Sequence, residues 1–116
     1  MIERISSNDL MSQVTVWNNT AYLSGQVALD NREGDLAAQA REIFSRIESL
    51  LAEVGAGKSN LLAATIWLTD VADFPAFNDL WRAWIGTDAP PARATVRADL
   101  MLPGLRLEIQ VVAAIP

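Results

Sequence analysis

The sequence predicts an α+β protein in which two helices cover one face of a mixed β-sheet. Three observations carry this prediction: a hairpin pattern near the N-terminus, two stretches of helical periodicity, and three strand-like stretches in the second half of the chain. The chain has 116 residues, 51% of them hydrophobic, which is the length and composition of a single domain over residues 1–116.

The first half of the chain contains the hairpin and the longer helix. In "SQVTVWNNTAYLSGQVAL" two alternating stretches flank Asn18-Asn19, and asparagine accepts the positive φ angles of a tight turn. From Asp35, a residue type that caps helix N-termini, apolar residues recur at three- and four-residue steps as far as Val54. This periodicity predicts the most strongly indicated helix of the chain.

The second half supplies a buried strand, a second helix and two final strands. Residues 61–68, "LLAATIWL", predict a strand whose even-numbered and odd-numbered faces are both largely apolar. A helix is predicted over 73–85, followed by strands over 92–100 and from 105 to about 114, joined by a turn at Leu102-Pro103-Gly104. Two helices on one face leave an apolar sheet face uncovered, which predicts a homo-oligomer.

The stretch "EVGAGKSN" matches the end of the phosphate-binding pattern G-x-x-x-x-G-K-[ST], but Ala52 occupies the position of the first glycine. A phosphate-binding loop of this kind follows a strand and begins a helix. Here the order is reversed, so the negative end of a helix dipole would repel phosphate. The sequence therefore argues against nucleotide binding, and Lys58 is predicted to offset the carbonyl groups at the end of the first helix.

The composition excludes several classes of chemistry. The chain has no cysteine and no histidine, which removes disulfides, thiolate nucleophiles, most zinc sites and imidazole catalysis, so no metal is predicted. Fourteen acidic residues against nine basic ones give a net charge of -5, which disfavours nucleic acid as a partner. The sequence also lacks the apolar run of a signal peptide or membrane span, which predicts a cytoplasmic protein with no membrane partner.

Polar and apolar residues alternate in the last two predicted strands. If these strands lie near one another, Arg93, Thr95 and Glu108 share the face opposite the helices. They can form a cross-strand ion pair on an ordinary solvent face. They can also form a site in which the planar guanidinium binds a carboxylate beside an acid that handles a proton or a water. The pattern alone leaves both interpretations open.

Four segments resemble, in order, segments of the RidA (YjgF-type) family. They are "TAYLSGQVAL", "LLAEVGAGKSNLLAATIWLTD", "DFPAFNDLWRAWI" and "PPARATVRADLMLPGLRLEIQVVA", and together they span nearly the whole chain. The resemblance implies a homotrimer with a chorismate-mutase-like fold and with active sites in clefts between subunits. It also implies hydrolysis of enamine/imine intermediates, released by pyridoxal-phosphate enzymes, to 2-keto acids and ammonia without a cofactor.

The resemblance implies a role for particular residues. Arg93 would bind the substrate carboxylate, and Glu108 would position the attacking water and help to move a proton. Ser24, Gly25, Asn78 and Thr95 would be substrate-binding, with the backbone of Gly25 facing the nitrogen end. Read without the family, Ser24 is equally well a turn hydroxyl and Asn78 a helix-surface amide. The tryptophans indicate core or interface anchors rather than substrate platforms.

The chain departs from the family pattern at one place, and three functions are compatible with its residues. Leu10-Met11 stand where RidA carries a Pro-Tyr pair, which marks a divergent subgroup. The first function is imine deamination of small 2-imino acids. The second is binding of a keto acid or a similar metabolite without catalysis. The third, ribonuclease activity, is attached to the family by name, and the acidic charge and missing histidine weigh against it.

Overall fold

The computed structural model describes all residues, 1–116, as one six-stranded mixed sheet with two helices. The strand order is β1-β2-β3-β6-β4-β5, and every neighbouring pair is antiparallel except β4 and β5, which are parallel. The elements are β1 (Glu3–Ser7), β2 (Ser12–Trp17), β3 (Thr20–Leu23), α1 (Leu36–Glu53), β4 (Leu61–Leu68), α2 (Phe74–Ile85), β5 (Ala92–Arg97) and β6 (Leu107–Ala114). The predicted α+β class is confirmed.

Local signals correctly placed the hairpin and both helices. Asn18 and Asn19 adopt φ angles of 51° and 57° between β2 and β3, as a tight turn requires. The Asp35 side chain accepts a hydrogen bond of 2.9 Å from the backbone N–H of Ala38 at the start of α1. Helix α2 ends at Gly86, whose φ angle of 62° is open to glycine. These features involve residues that are close in sequence.

The predicted pairing of the last two strands is wrong. Strand β4 lies between β5 and β6, so these two are not neighbours, and the segment around Leu102-Pro103-Gly104 crosses the end of β4 instead of closing a hairpin. The strands are also shorter than predicted, since β5 ends at Arg97 and β6 begins at Leu107. The reason is that β4 and β5 are parallel and joined by α2, which sends β5 to the edge of the sheet.

Strand β4 contains a register shift that changes which side chains are buried. Leu61 pairs with Ala113 and is only 7% exposed, whereas Leu62 is 50% exposed. Simple alternation predicted the reverse, with Leu62 on the same face as Ala64. A bulge inserts one residue into the strand and reverses the alternation on its N-terminal side. From Ala64 to Leu68 the alternation follows the prediction.

The hydrophobic core lies between the two helices and one face of the sheet. Phe44 of α1 stacks on Trp84 of α2 with ring centroids 4.3 Å apart, and Trp81 meets both rings edge-on. The other face of the sheet has no covering element in one chain. It exposes Tyr22 (45%) and Val96 (48%), so the predicted uncovered apolar face is present. None of the helices is long and apolar enough to cross a membrane.

The "EVGAGKSN" segment joins the end of α1 to β4, as predicted, but Lys58 does not interact with α1. Its Nζ donates a hydrogen bond of 2.6 Å to the carbonyl oxygen of Trp84, at the end of α2. The prediction that Lys58 offsets the carbonyl groups of α1 is therefore wrong. Lys58 does bind a carbonyl group at the end of a helix, but the helix is α2, because the folded chain brings the end of α2 next to this loop.

A buried amide of α1 binds the segment before β6, and an arginine of that segment binds the residue before α2. Gln39 is fully buried, and its Oε1 accepts a hydrogen bond of 2.8 Å from the backbone N–H of Arg106. Its Nε2 donates to the carbonyl oxygen of Gly104 at 2.9 Å. The Arg106 side chain in turn makes two contacts, of 2.9 and 3.1 Å, with the carboxylate of Asp73. These bonds hold the N-terminus of α2 in place beside β5.

Candidate active site

The predicted site residues form two groups on opposite faces of the sheet. Arg93 and Thr95 pair with Ala64 and Ile66 of β4, which face the helices, so they lie on the helix side. Glu108 pairs with Trp67 and lies on the uncovered face. The expectation that all three share the face opposite the helices held only if the last two strands lie near one another, and that condition is not met. It assumed that β5 and β6 are adjacent, whereas the register of each strand with β4 decides its faces.

The arginine cluster consists of Arg93, Asn78 and the rings of Phe74, Phe77 and Trp81. Arg93 Nη2 donates a hydrogen bond of 2.7 Å to Asn78 Oδ1, and the guanidinium carbon lies 5.4 to 5.9 Å from the three ring centroids. Burial, and then the positive charge of Arg82, lower the pKa of Arg93 below its usual value. The guanidinium still carries its charge at neutral pH.

No carboxylate of the same chain neutralises Arg93. The ion pairs of the structure involve Arg46, Arg82 and Arg106, and none includes Arg93 or Glu108. The structural interpretation of these two residues as a cross-strand ion pair is therefore wrong within one chain. A half-buried guanidinium with most of its donors unused is suited to binding an anion, and its planar fork matches a carboxylate.

Thr95 lies two residues along the same strand face and has an unsatisfied hydroxyl. Its Oγ1 is buried and has no hydrogen-bond partner. Thr95 lines a cavity of about 180 Å³ together with residues of β4, β5, the turn before α2 and the start of α2, namely Leu68, Val71, Phe74, Val96 and Arg97. A buried hydroxyl without a partner destabilises the fold unless another molecule supplies one. The predicted role of Thr95 in lining the substrate pocket stays a prediction.

The glutamate cluster consists of Glu108 and the segment Ser24-Gly25-Gln26. The backbone of Gln26 exchanges hydrogen bonds of 2.8 and 3.1 Å with that of Ile109, which holds Gly25 against β6. A Cβ atom on Gly25 would overlap Glu108 Oε2 and lie 2.9 Å from Cδ, so the carboxylate rests directly on the glycine backbone. Burial raises the pKa of Glu108 above its ordinary value of 4.5.

Ser24 and Asn78, for which two interpretations were open, have different roles. Ser24 Oγ donates a hydrogen bond of 2.6 Å to the carbonyl oxygen of Ser12 and so links β3 to β2. This bond joins two strands and is not the local contact of a turn hydroxyl, and the substrate-binding role of Ser24 stays a prediction. Asn78 is no simple helix-surface amide, because its Oδ1 accepts from Arg93. The two residues therefore belong to opposite groups, and only Asn78 contacts a predicted catalytic residue.

The sequence analysis missed two parts of the site. The first is the set of rings around Arg93: Phe74, Phe77 and Trp81 lie at steps of three, four and seven residues and so share one face of α2. The spacing of these aromatic residues is the signal that could have identified this part of the site. The second is Gln26, which is buried and donates from Nε2 to Gln13 Oε1 at 2.9 Å. Nothing local in the sequence pairs these two amides.

A second cavity, of about 310 Å³, lies beside the glutamate cluster. Gly25 and Gln26 line it, and so does Met11, which stands where RidA carries tyrosine. The wall at this position is therefore an unbranched thioether, a shape that adapts to irregular neighbours. The structure brings together no group of three or more acidic side chains that could hold a metal ion.

Replacing Gly25 by alanine tests the close approach of Glu108. The new Cβ overlaps the carboxylate, so Glu108 must move, and we expect at least about a 10-fold loss of any turnover that depends on it. Gly57→Ala is the matched control, because nothing lies within 4 Å of a Cβ at that position. Equal activity in the two variants, measured with folded proteins, would show that the position of Glu108 does not matter.

The fold and the two clusters together define a small α+β protein with an unpaired arginine on one sheet face and a half-buried carboxylate on the other. The chain belongs to the family described as endoribonuclease L-PSP, whose model matches residues 1–115. A RutC family protein of Haemophilus influenzae is 39% identical over 112 residues, which are 97% of each chain. The resemblance to the RidA (YjgF-type) family is confirmed.

Solved structures of the same family superpose over nearly the whole chain. A member of the YjgF protein family from Neisseria meningitidis has a TM-score of 0.94 and 32% identity, and the match covers 100% of this chain and 96% of that one. RidA from an Antarctic Psychrobacter has a TM-score of 0.84 and 27% identity, covering 94% and 91% of the two chains. The family and the fold are therefore the same as those implied by the sequence segments.

Proposed function

We propose that this protein hydrolyses reactive 2-imino (2-amino-unsaturated) acids to 2-keto acids and ammonia without a cofactor. The observation that carries the proposal is the state of Arg93. Its guanidinium is half-buried among three aromatic rings, is hydrogen-bonded to Asn78 and has no carboxylate partner in the chain. A small carboxylate-bearing substrate would supply the missing counter-ion.

The active site in this proposal is formed by two subunits of a homotrimer. Arg93 and Glu108 lie on opposite faces of one sheet, so a small substrate cannot touch both in the same chain. Arg93 is on the edge strand β5, and Glu108 is on the uncovered face. A cyclic assembly brings different surfaces of neighbouring subunits together, so the edge of one subunit can meet the open face of the next.

The chemistry requires little beyond positioning, because an imine is already electrophilic. Arg93 binds the carboxylate. Glu108 accepts a proton as a water oxygen bonds to the imine carbon, and the C=N double bond becomes a single bond. Glu108 returns this proton to the nitrogen, which completes an amino alcohol. It then moves the remaining hydroxyl proton to the amino group, the carbon–nitrogen bond breaks to release ammonia, and the carbon–oxygen bond becomes the carbonyl of the keto acid. A carboxylate whose pKa is raised toward neutrality is a better base for this step than an exposed one.

The test generates 2-imino acids with an amino-acid oxidase and measures how fast each imine disappears when the protein is present in catalytic amounts. We expect faster loss of the imine, together with a trimer in sedimentation equilibrium at micromolar concentration. Arg41→Gln is the control, since Arg41 is an exposed residue of α1 outside both clusters. A folded monomer, or a trimer that leaves the imine lifetime unchanged, would refute the proposal.

Two other functions predict different results for the purified protein. A protein that only binds keto acids would retain Arg93-dependent binding without turnover. A ribonuclease, the activity in the printed family description, would cleave RNA in purified form and lose this activity in Arg93→Ala. The net charge of -5 and the absence of histidine do not favour the ribonuclease.

A further inference from the structure

We propose that the substrate carries a second carboxylate and that Arg97 binds it. The inference rests on the proposed function, because it assigns the substrate class of the same site. It concerns the groove formed by Arg93, Phe74, Thr95 and Arg97 along the edge strand β5, called here the β5 groove. The substrates that fit it are 2-imino dicarboxylic acids of four or five carbons.

The register of β5 with β4 puts both arginines on one face. Arg93 pairs with Ala64, and Arg97 pairs with Leu68. Both partners are buried against the helices, so the two arginines lie on the helix side of the sheet, with Thr95 between them. Positions four residues apart on a strand are separated by about 13 Å. Two long side chains over that distance can hold the two ends of one small diacid.

Phe74 contacts both parts of the proposed groove. Its ring lies 5.9 Å from the guanidinium carbon of Arg93, and the same residue lines the cavity of about 180 Å³ that Thr95 and Arg97 share. The buried Oγ1 of Thr95, which has no hydrogen-bond partner, lies along this path. A bound diacid would supply an acceptor for the hydroxyl at the same time as it binds the two guanidinium groups.

The charges around Arg97 leave its guanidinium available. Arg97 is exposed and forms no ion pair. Asp73, at the start of α2, is already paired with Arg106, and no carboxylate lies within ion-pair distance of Arg97. Two unneutralised arginines on one strand face of a protein with net charge -5 form a local positive site.

A binding measurement tests the proposal without depending on turnover. The probes are 2-oxoglutarate and 2-oxopentanoate, which have the same chain length and differ in whether the distal end is a carboxylate or a methyl group. Calorimetric titration of the protein should give roughly 10-fold tighter binding of 2-oxoglutarate, as a charge-assisted pair provides. Arg97→Gln should remove this preference and leave the affinity for 2-oxopentanoate unchanged.

Further variants separate Arg97 from the general effects of charge and assembly. Arg97→Lys keeps the charge and should retain part of the preference. Arg41→Gln removes one charge elsewhere and should keep all of it. The proposal is wrong if Arg97→Gln binds both acids as the unmodified protein does. It is also wrong if the oligomer of this variant dissociates, or if the variant binds both acids more weakly by the same factor. Arg97 would then make a structural or subunit contact.

Turnover distinguishes failure of this inference from failure of the proposed function. The imines made from glutamate and norvaline carry the same two side chains as the probes. If neither imine is hydrolysed faster but the binding preference and its loss in Arg97→Gln are observed, the deaminase proposal fails and the diacid site stands. If both imines are hydrolysed equally fast and Arg97→Gln changes nothing, the deaminase stands and the diacid site is refuted.

Discussion

Replacement of Arg93 by lysine is expected to lower imine hydrolysis by roughly 100-fold or more, on the order of 3 kcal/mol of lost transition-state stabilisation. Lysine keeps the charge but lacks the planar fork that binds a carboxylate through two parallel hydrogen bonds. It also loses the stacking on aromatic faces that a guanidinium makes with Phe74, Phe77 and Trp81. Steady-state turnover of a freshly generated imine measures the effect.

Arg82→Lys is the matched control for this experiment. Arg82 lies on α2 near Arg93, but its guanidinium pairs with Asp79 at 2.8 Å and both side chains are exposed. The same chemical change should therefore leave turnover within about twofold, because exposed pairs of this kind contribute little. Near-normal turnover in Arg93→Lys, with a folded trimer, would remove Arg93 from the site. If Arg93→Lys instead lowers both the melting temperature and the fraction of trimer, Arg93 has a structural role.

Replacement of Glu108 by glutamine is expected to lower turnover by roughly 100-fold or more, the usual range for a lost general base. Glutamine keeps the shape of the side chain over Gly25 but cannot accept the proton of the attacking water. The loss should fall on kcat more than on KM, because the carboxylate of the substrate is held by Arg93. Unchanged kcat in a folded Glu108→Gln trimer would contradict the assigned role.

The pH dependence of the same variant gives a second, independent result. Activity of the unmodified protein should rise with pH through the raised pKa of Glu108, and this limb of the profile should be missing from the residual activity of the glutamine variant. Glu53→Gln, at the exposed end of α1, should keep the full profile. If the rise of activity with pH persists in Glu108→Gln, another titrating group causes it.

Stability should change in the opposite direction to activity. Because burial raises the pKa of Glu108, the folded protein binds more protons than the unfolded chain between pH 4.5 and the raised pKa. The free energy of unfolding therefore falls as pH rises through that window, and the loss remains at neutral pH. Glu108→Gln avoids it, so its melting temperature should exceed that of the unmodified protein at pH 7 and equal it well below pH 4.5.

The sequence segments correctly identified the family, whereas the roles assigned to the site residues stay predictions. Arg93 and Asn78 do meet, and Glu108 does lie on Gly25. The spacing of the aromatic residues in α2 indicated that they share one face, but the sequence analysis interpreted these residues as core. The buried pair of Gln13 and Gln26 joins residues of two different segments, and no local pattern identifies such a partner.

The sequence by itself determined the features that depend on neighbours along the chain. The turn at Asn18-Asn19, the cap at Asp35, the end of α2 at Gly86 and the order of helix, loop and strand around Lys58 all follow from local backbone preferences and periodicity. The separation of the helix face from an uncovered apolar face also followed from the alternation of apolar residues.

Only the tertiary structure decided on which face each polar residue lies. A strand has a period of two, so the choice of partner strand and a shift of one residue in register determine whether a side chain points to the helices or away from them. The insertion of β4 between β5 and β6 put Arg93 beside α2 and Glu108 on the open face, and the bulge in β4 exchanged Leu61 with Leu62. These outcomes depend on contacts between residues far apart in the chain, which the pattern of a single strand does not contain.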